Sequence, residues 1–212
     1  MELAPHGDFA NLVTKYRLAR NTKLVRTFFR HLVDGVSYLH SKGFAHLDLK
    51  LGNLLLGEEF KLKICDFEFT CMRGDTKQNC LGTKNFRAPE IRDNESNVNA
   101  FKADIYSMGI ILFAMLTGRL PYDETKPMKG YQLYSILRSE PEKFWEVHDT
   151  IKTENSKLSK DFKTLFMQMV SENPEDRPTI ENIKQSKWYN GLTYTQNELQ
   201  NLMINLFRNG NL

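Results

Sequence analysis

Apolar residues along the chain fall into a few distinct rhythms. Over 23–40, Leu24, Phe28, Leu32, Val36 and Leu39 recur at steps of three and four, which predicts a long helix with one buried face, and Ser41-Lys42-Gly43 supplies a glycine stop. Two short apolar runs, Leu54–Leu56 and Leu62–Ile64, flank Gly57-Glu58-Glu59 and predict a small hairpin. The stretch 68–87 has no sustained period and reads as a long loop, which inside a compact domain is functional or disordered. Over 101–117 the chain is apolar almost all round, through Ile105, Met108, Ile110, Ile111, Leu112, Phe113, Met115 and Leu116, so this helix belongs at the centre of a core. Gly118 caps it and Pro121 bars its continuation. Weaker helical patterns follow at 130–138, 159–170 and 179–185. An amphipathic tail helix over 195–208 carries Leu199, Leu202, Met203 and Leu206 on one face.

These rhythms predict a mainly α architecture: a helical bundle around a central buried helix, with one β-hairpin. A length of 212 residues suits one compact unit, and 41% hydrophobic with 26% charged residues is ordinary globular usage. The formal net charge of +3 is small and dispersed, giving no case for a nucleic-acid groove or a polybasic membrane surface. The run 108–116 is shorter than the ~20 residues that span a bilayer, and 1–9 has no signal-peptide pattern, so no membrane insertion is expected. Cys65, Cys71 and Cys80 form neither a closed metal pattern nor an even disulfide set, and reduced thiols set the expectation of a cytoplasmic or nuclear protein.

Candidate chemistry brackets the hairpin. Before it lies His46-Leu47-Asp48-Leu49-Lys50-Leu51-Gly52-Asn53, and after its second strand lies Asp66-Phe67-Glu68. Phosphoryl transfer requires a carboxylate to orient the attacking hydroxyl, a cation for the moving charge, and oxygen ligands for Mg²⁺. An isolated Asp-x-Lys or Asp-Phe pair carries no weight, because surface acids and lysines are usually just solvated; the ordered series does.

The series resembles the protein kinase family, whose catalytic loop reads H-R-D-L-K-x-x-N and whose metal loop reads D-F-G. Gly82-Thr83-Lys84-Asn85-Phe86-Arg87-Ala88-Pro89-Glu90 is similar to the end of that family's activation segment. The resemblance implies that buried Asp104 holds the catalytic loop through backbone N–H groups and that Arg177 pairs with Glu90. It implies Asp48 as catalytic base or hydroxyl-orienting residue, Lys50 on the transferred phosphate, and Asn53 and Asp66 on Mg²⁺. Lys50 and Thr83 follow the serine/threonine pattern, so ATP is the expected donor and a Ser or Thr hydroxyl of a protein substrate the acceptor. Met1-Glu2-Leu3-Ala4 resembles the hinge between the two kinase lobes. By that resemblance the backbone of Glu2 and Ala4 meets the adenine edge, Leu55 floors the adenine pocket, and Asp8 meets the ribose or a basic substrate residue; an exposed acid at a helix start is also an ordinary cap. Residues 1–190 then form the larger kinase lobe, with the hinge at 1–7, and 191–212 a tail helix that either caps the lobe or docks a partner.

Two substitutions depart from the family pattern. Leu47 stands where the family has an arginine that grips an activation-loop phosphate, so phosphorylation of Thr76 is not expected to order the loop. Glu68 stands where the metal loop has glycine, adding charge beside Asp66 and removing φ freedom. The glycine-rich loop, strand lysine and helix glutamate of a kinase precede the hinge, so the expectation is a serine/threonine kinase lobe cut before its hinge. The alternative is a pseudokinase or kinase-lobe scaffold that binds protein partners without catalysis. His46 is expected to brace the catalytic loop rather than shuttle protons, and Cys65 to act as a small buried hydrophobe rather than a reactive thiol.

Overall fold

The computed structural model describes residues 3–16, 18–75, 82–93, 98–123, 127–149 and 158–209. In chain order they form α1 (Phe9–Lys15), α2 (Thr22–Ser41), β1 (Phe44–Ala45), β2 (Leu54–Leu56), β3 (Leu62–Ile64), β4 (Cys71–Met72), α3 (Pro89–Arg92), α4 (Ala100–Thr117), α5 (Pro127–Ser139), α6 (Pro141–Asp149), α7 (Lys160–Met169), α8 (Ile180–Gln185) and α9 (Gln196–Asn209). The lobe is mainly α, as the apolar rhythms predict. Its strands make two antiparallel ribbons, β2 with β3 and β1 with β4.

Each long helix starts and stops where its chemistry dictates. Asn21 caps α2 by accepting the Leu24 N–H at 2.9 Å, and Leu24, Phe28, Leu32 and Val36 are buried along one face. Asn99 caps α4 and left-handed Gly118, at φ 72°, ends it. By length and hydropathy α4 is the one described helix that would suit a bilayer, yet 83% of it is buried inside the lobe. It packs against α2 on one side and α7 on the other. At Gly109 a Cβ would lie 2.9 Å from a Val170 methyl and 3.0 Å from Met169 Cβ, so a side chain there would force α4 and α7 apart.

Five elements, α1, α3, α6 and the paired strands β1 and β4, do not follow from the apolar rhythm. Helix α1 is held by Asp8, which accepts the Asn11 N–H at 2.9 Å. Helix α3 is a single turn opened by Pro89. Helix α6 contributes Phe144, Trp145 and His148 to an aromatic cluster with Phe113, Phe162 and Phe166. Strand β4 pairs Cys71 with Ala45 and Met72 with Phe44, giving the start of the long 68–87 loop a regular backbone. Cys65 and Cys71 form no disulfide among the described residues, and Cys80 lies outside them.

The tail helix α9 lies against this lobe. Leu199, Met203 and Leu206 are at most 1% exposed. Gln196 Nε2 donates to the Glu59 carbonyl at 2.7 Å, and Phe207 joins the rings of His6, Tyr16 and Phe60. Met203→Ala is expected to lower the unfolding free energy by about 2–5 kcal/mol in urea titrations, and Ile204→Ala, on the outer face, by less than about 0.5 kcal/mol.

His148 makes stability depend on pH. Its Nε2–H faces the Pro121 carbonyl at 3.1 Å among Phe113 and Phe144, and burial pushes its pKa below the ordinary value. The folded state therefore binds fewer protons than the unfolded state below the unfolded pKa of about 6.5, and stability must fall as pH drops through that value toward the folded pKa. His31 is pushed in the same direction, also by burial. The urea midpoint is expected to fall between about pH 7.5 and about pH 5.5, and His148→Gln to shrink that fall.

Candidate functional site

The centre of the site is a carboxylate on the core helix. Asp104, fully buried on α4, accepts the His46 N–H on Oδ2 at 2.8 Å and the Leu47 N–H on Oδ1 at 2.9 Å. His40, on the last turn of α2, places Nε2 2.8 Å from the same Oδ2. A buried anion is tolerated when donors surround it, and here those donors come from α2 and from the 46–53 loop. Leu47 is thereby held at φ 63°, a left-handed conformation that costs a branched residue roughly 1–2 kcal/mol. Its side chain is buried, where an arginine would carry its charge to a loop phosphate.

From this brace the loop turns back to gather its polar groups. The Asp48 N–H donates to His46 Nδ1 at 3.2 Å, which leaves Nε2–H to donate to the Cys65 carbonyl at 3.0 Å. His46 thus ties the loop to the end of β3. The Asp48 carboxylate, 3% exposed, is shared by three side chains. Lys50 Nζ donates to Oδ2 at 2.6 Å, Asn53 Nδ2 donates to Oδ2 at 3.0 Å, and Thr83 Oγ1 donates to Oδ1 at 2.8 Å. Lys50 Nζ also donates to Thr83 Oγ1 at 3.0 Å, which closes the ring. Asp48, Lys50, Asn53 and Thr83, separated by up to 35 positions, therefore occupy one cluster.

The hairpin sets the second acid beside it. The β2–β3 register pairs Leu54 with Ile64 and continues through a Cys65 N–H to Asn53 carbonyl bond of 2.9 Å, so Asp66 follows immediately after Asn53's partner. Asn53 spends its Nδ2 on Asp48, which leaves its carbonyl Oδ1 for a cation, and the Asp66 carboxylate is exposed. The described residues hold no group of three or more His, Cys, Asp or Glu side chains placed for a metal. One amide oxygen and one carboxylate instead fit Mg²⁺, which keeps waters and takes its remaining ligands from substrate phosphates. The left-handed residue of this turn is Asp66, at φ 64°, and Glu68 is absent from the positive-φ positions. Glu68 therefore adds charge near Asp66, but the backbone freedom of glycine is not required where it stands. Cys65 is half-buried rather than buried, because it follows β3 at the rim, and desolvation with the neighbouring Asp66 still pushes its thiol pKa up, away from the reactive thiolate.

Of the residues expected around adenine, Asp8 and Leu55 meet at β2. Asp8 and Leu55 form an antiparallel bridge, and the Leu56 N–H donates to the Gly7 carbonyl at 2.9 Å. Both Asp8 carboxylate oxygens accept from Asn11, through its backbone N–H and its Nδ2, so this side chain is in the first place the cap of α1. Ala4 is half-buried with its carbonyl on Gly7, and Glu2 and Thr76 lie outside the described residues.

The 82–90 segment is fastened at both ends. Gly82 adopts φ 86°, and a Cβ there would lie 2.4 Å from the Leu47 carbonyl oxygen, so only glycine lets Thr83 reach Asp48. Arg87 donates Nε and Nη2 to the Gly82 carbonyl, and Ser107 on α4 donates to the Phe86 carbonyl at 2.8 Å. At the far end Arg177, 2% exposed, forms a two-pronged pair with Glu90 at 2.6 and 2.7 Å. Its other N–H groups reach the carbonyls of Ser171, Lys102 and Glu172, so all five guanidinium donors are satisfied. Sequence reasoning did not pick out His40, Arg87 or Ser107 as parts of this frame. His40 stands 64 positions from its partner and Ser107 stands 21 from its own, so no local pattern marks either.

The sequence matches the protein kinase domain family over residues 1–189. It is 34% identical over 195 residues to the Saccharomyces cerevisiae fatty acyl-CoA synthetase and RNA processing-associated kinase 1, covering 89% of this chain and 21% of that protein. It is 33% identical over 199 residues to a probable cell cycle serine/threonine-protein kinase, the CDC5 homolog of Encephalitozoon cuniculi, covering 91% of this chain and 39% of that protein. The CBL-interacting serine/threonine-protein kinase 1 of Arabidopsis thaliana is 34% identical over 199 residues, 89% of this chain and 40% of its own length. The chain thus spans between about a fifth and two fifths of these relatives. With that match running along nearly the whole lobe, and with the loop, hairpin and clamped segment in place, the chain belongs to the protein kinase domain family.

Proposed function

We propose that this chain is the catalytic lobe of a serine/threonine kinase, transferring the γ-phosphoryl group of Mg²⁺-bound ATP to a Ser or Thr hydroxyl of a protein substrate. The observation that carries this reading is the closed ring of Asp48, Lys50 and Thr83, assembled on the braced loop. Asp48 orients the incoming hydroxyl and accepts its proton, and Lys50 steadies charge on the moving phosphoryl group. Asn53 and Asp66 hold Mg²⁺, which when bound neutralises the phosphate oxygens. Adenine rests along Ala4 and Leu55, and the backbone of Glu2 is its further proposed partner. Thr83 keeps the substrate backbone next to Asp48. An ATP-covering lobe that supplies the glycine-rich loop and strand lysine completes the site.

Because Leu47 cannot grip a phosphate, the ring is held by Asp104 and by the Gly82 approach rather than by a modified loop. The scaffold reading rests on Glu68, whose charge opposes a metal-bound phosphate near Asp66.

Transfer of radiolabelled phosphate from ATP by the full gene product is expected to fall by about 10²-fold or more in Asp48→Asn, with Mg²⁺·ATP binding retained. Equal incorporation by both proteins would favour the scaffold reading. Gly82→Ala, forced against the Leu47 carbonyl, is expected to cut the initial rate at least about tenfold while lowering stability in urea by about 1–3 kcal/mol.

A further inference from the structure

A cleft of about 440 Å³ opens where the last turn of α2, the turn after β4 and the first turns of α4 and α8 meet. It lies outside the cluster around Asp48, and none of that cluster's residues line it. Its volume is in the range that holds a small organic ligand. One wall is apolar, built from Phe101, Ile105 and Ile180.

The opposite character comes from cations. Arg73 is anchored through its backbone N–H to the Gly43 carbonyl at 2.8 Å, and its guanidinium lies 4.6 Å from the centre of the Phe101 ring. It forms no ion pair among the described residues and is exposed toward the cleft. Lys102 is fastened to the Arg177 carbonyl by one of its three N–H donors, leaving the others to a ligand. Glu181 is the one acid in the lining, so Arg73 and Lys102 outnumber it. A stacked guanidinium with its fork open is suited to a phosphate oxygen pair, and the ring and aliphatic side chains beside it to an apolar substituent.

His40 connects this cleft to the site. Its Nε2 faces Asp104 Oδ2, the same oxygen that accepts the His46 N–H. Its Nδ1 has no hydrogen bond among the described residues and is not among the buried unpartnered atoms, so it opens to the cleft that His40 lines. The ring thus presents one nitrogen to the brace of the catalytic loop and the other to the cavity.

We propose that the cleft binds a small organic phosphate monoester between Arg73, Lys102 and the Phe101 wall, and that occupancy is relayed through His40 and Asp104 to the backbone of His46 and Leu47. Binding at the cleft does not rest on the phosphoryl-transfer reading, and it is read without activity.

The test is a titration of the ¹⁵N-labelled 212-residue chain with phenyl phosphate, inorganic phosphate and benzyl alcohol, followed by amide chemical shifts. Phenyl phosphate is expected to shift the amides of Arg73 and Phe101 together with those of His46 and Leu47. Arg73→Gln is expected to weaken that binding at least about tenfold with Tm unchanged. Shifts equally strong with benzyl alcohol, or unchanged affinity in Arg73→Gln, would overturn anion recognition. Equal binding of inorganic phosphate would overturn the ester in favour of a bare oxyanion. Movement of the cleft amides without those of His46 and Leu47 would overturn the relay.

Discussion

The Asp104 carboxylate is the constraint on which the site depends. It sits on the most buried helix of the lobe, where an ionised group must be surrounded by donors. Those donors are the His46 and Leu47 N–H groups and the His40 ring, so burying the charge and fixing the loop are one event. The same helix continues outward with polar contacts. Ser107 holds the Phe86 carbonyl, the Lys102 carbonyl accepts from Arg177, and Arg177 in turn holds Glu90. One apolar helix therefore positions the loop before the hairpin and the middle and far end of the 82–90 segment.

The arrangement stores strain where chemistry is proposed. Leu47 and Asp66 both take left-handed backbone; Leu47 immediately precedes Asp48, and Asp66 is itself the second acid of the site. Neither would hold that conformation in isolation. Leu47 is over-determined by Asp104 on its N–H, by burial of its side chain and by Gly82 packed on its carbonyl. The reward is a backbone that turns sharply enough for Asp48 to meet Lys50, Asn53 and Thr83 at once. Leucine in place of arginine shifts the support of this turn from a charge on the far loop to packing in the core. The proposed cleft lies on the other side of the same brace, so any group that moves His40 acts on the carboxylate that holds the loop.

Much of this was legible in the residues. The three-and-four spacing of Leu24, Phe28, Leu32 and Val36 marks α2, the uninterrupted apolar run marks α4, and the two runs around Gly57 mark the β2–β3 hairpin with its observed bounds. Helices α1 and α6 were less visible because each is short: Phe9, Leu12 and Val13 cover barely two turns, and Phe144, Trp145 and His148 sit among exposed acids and a lysine. Strand β4 left no trace because two residues cannot establish a period, and it exists only through its pairing with β1.

The sequence by itself determined α2, α4, α5, α7, α8, α9 and the hairpin, the order of the acids, lysine and amide, and the membership of the chain in its family, because periodicity and motif spacing are local properties that survive without coordinates. Only the tertiary structure decided that α9 lies on the lobe, that Asp8 spends its carboxylate on capping α1, and that the positive φ of the metal turn falls on Asp66 rather than at Glu68. It also decided that His40, Arg87 and Ser107 belong to the frame of the site. The physical reason is that these outcomes depend on which distant donor meets which acceptor. A backbone conformation unfavourable in the isolated chain persists where burial and hydrogen bonds from several elements hold it together.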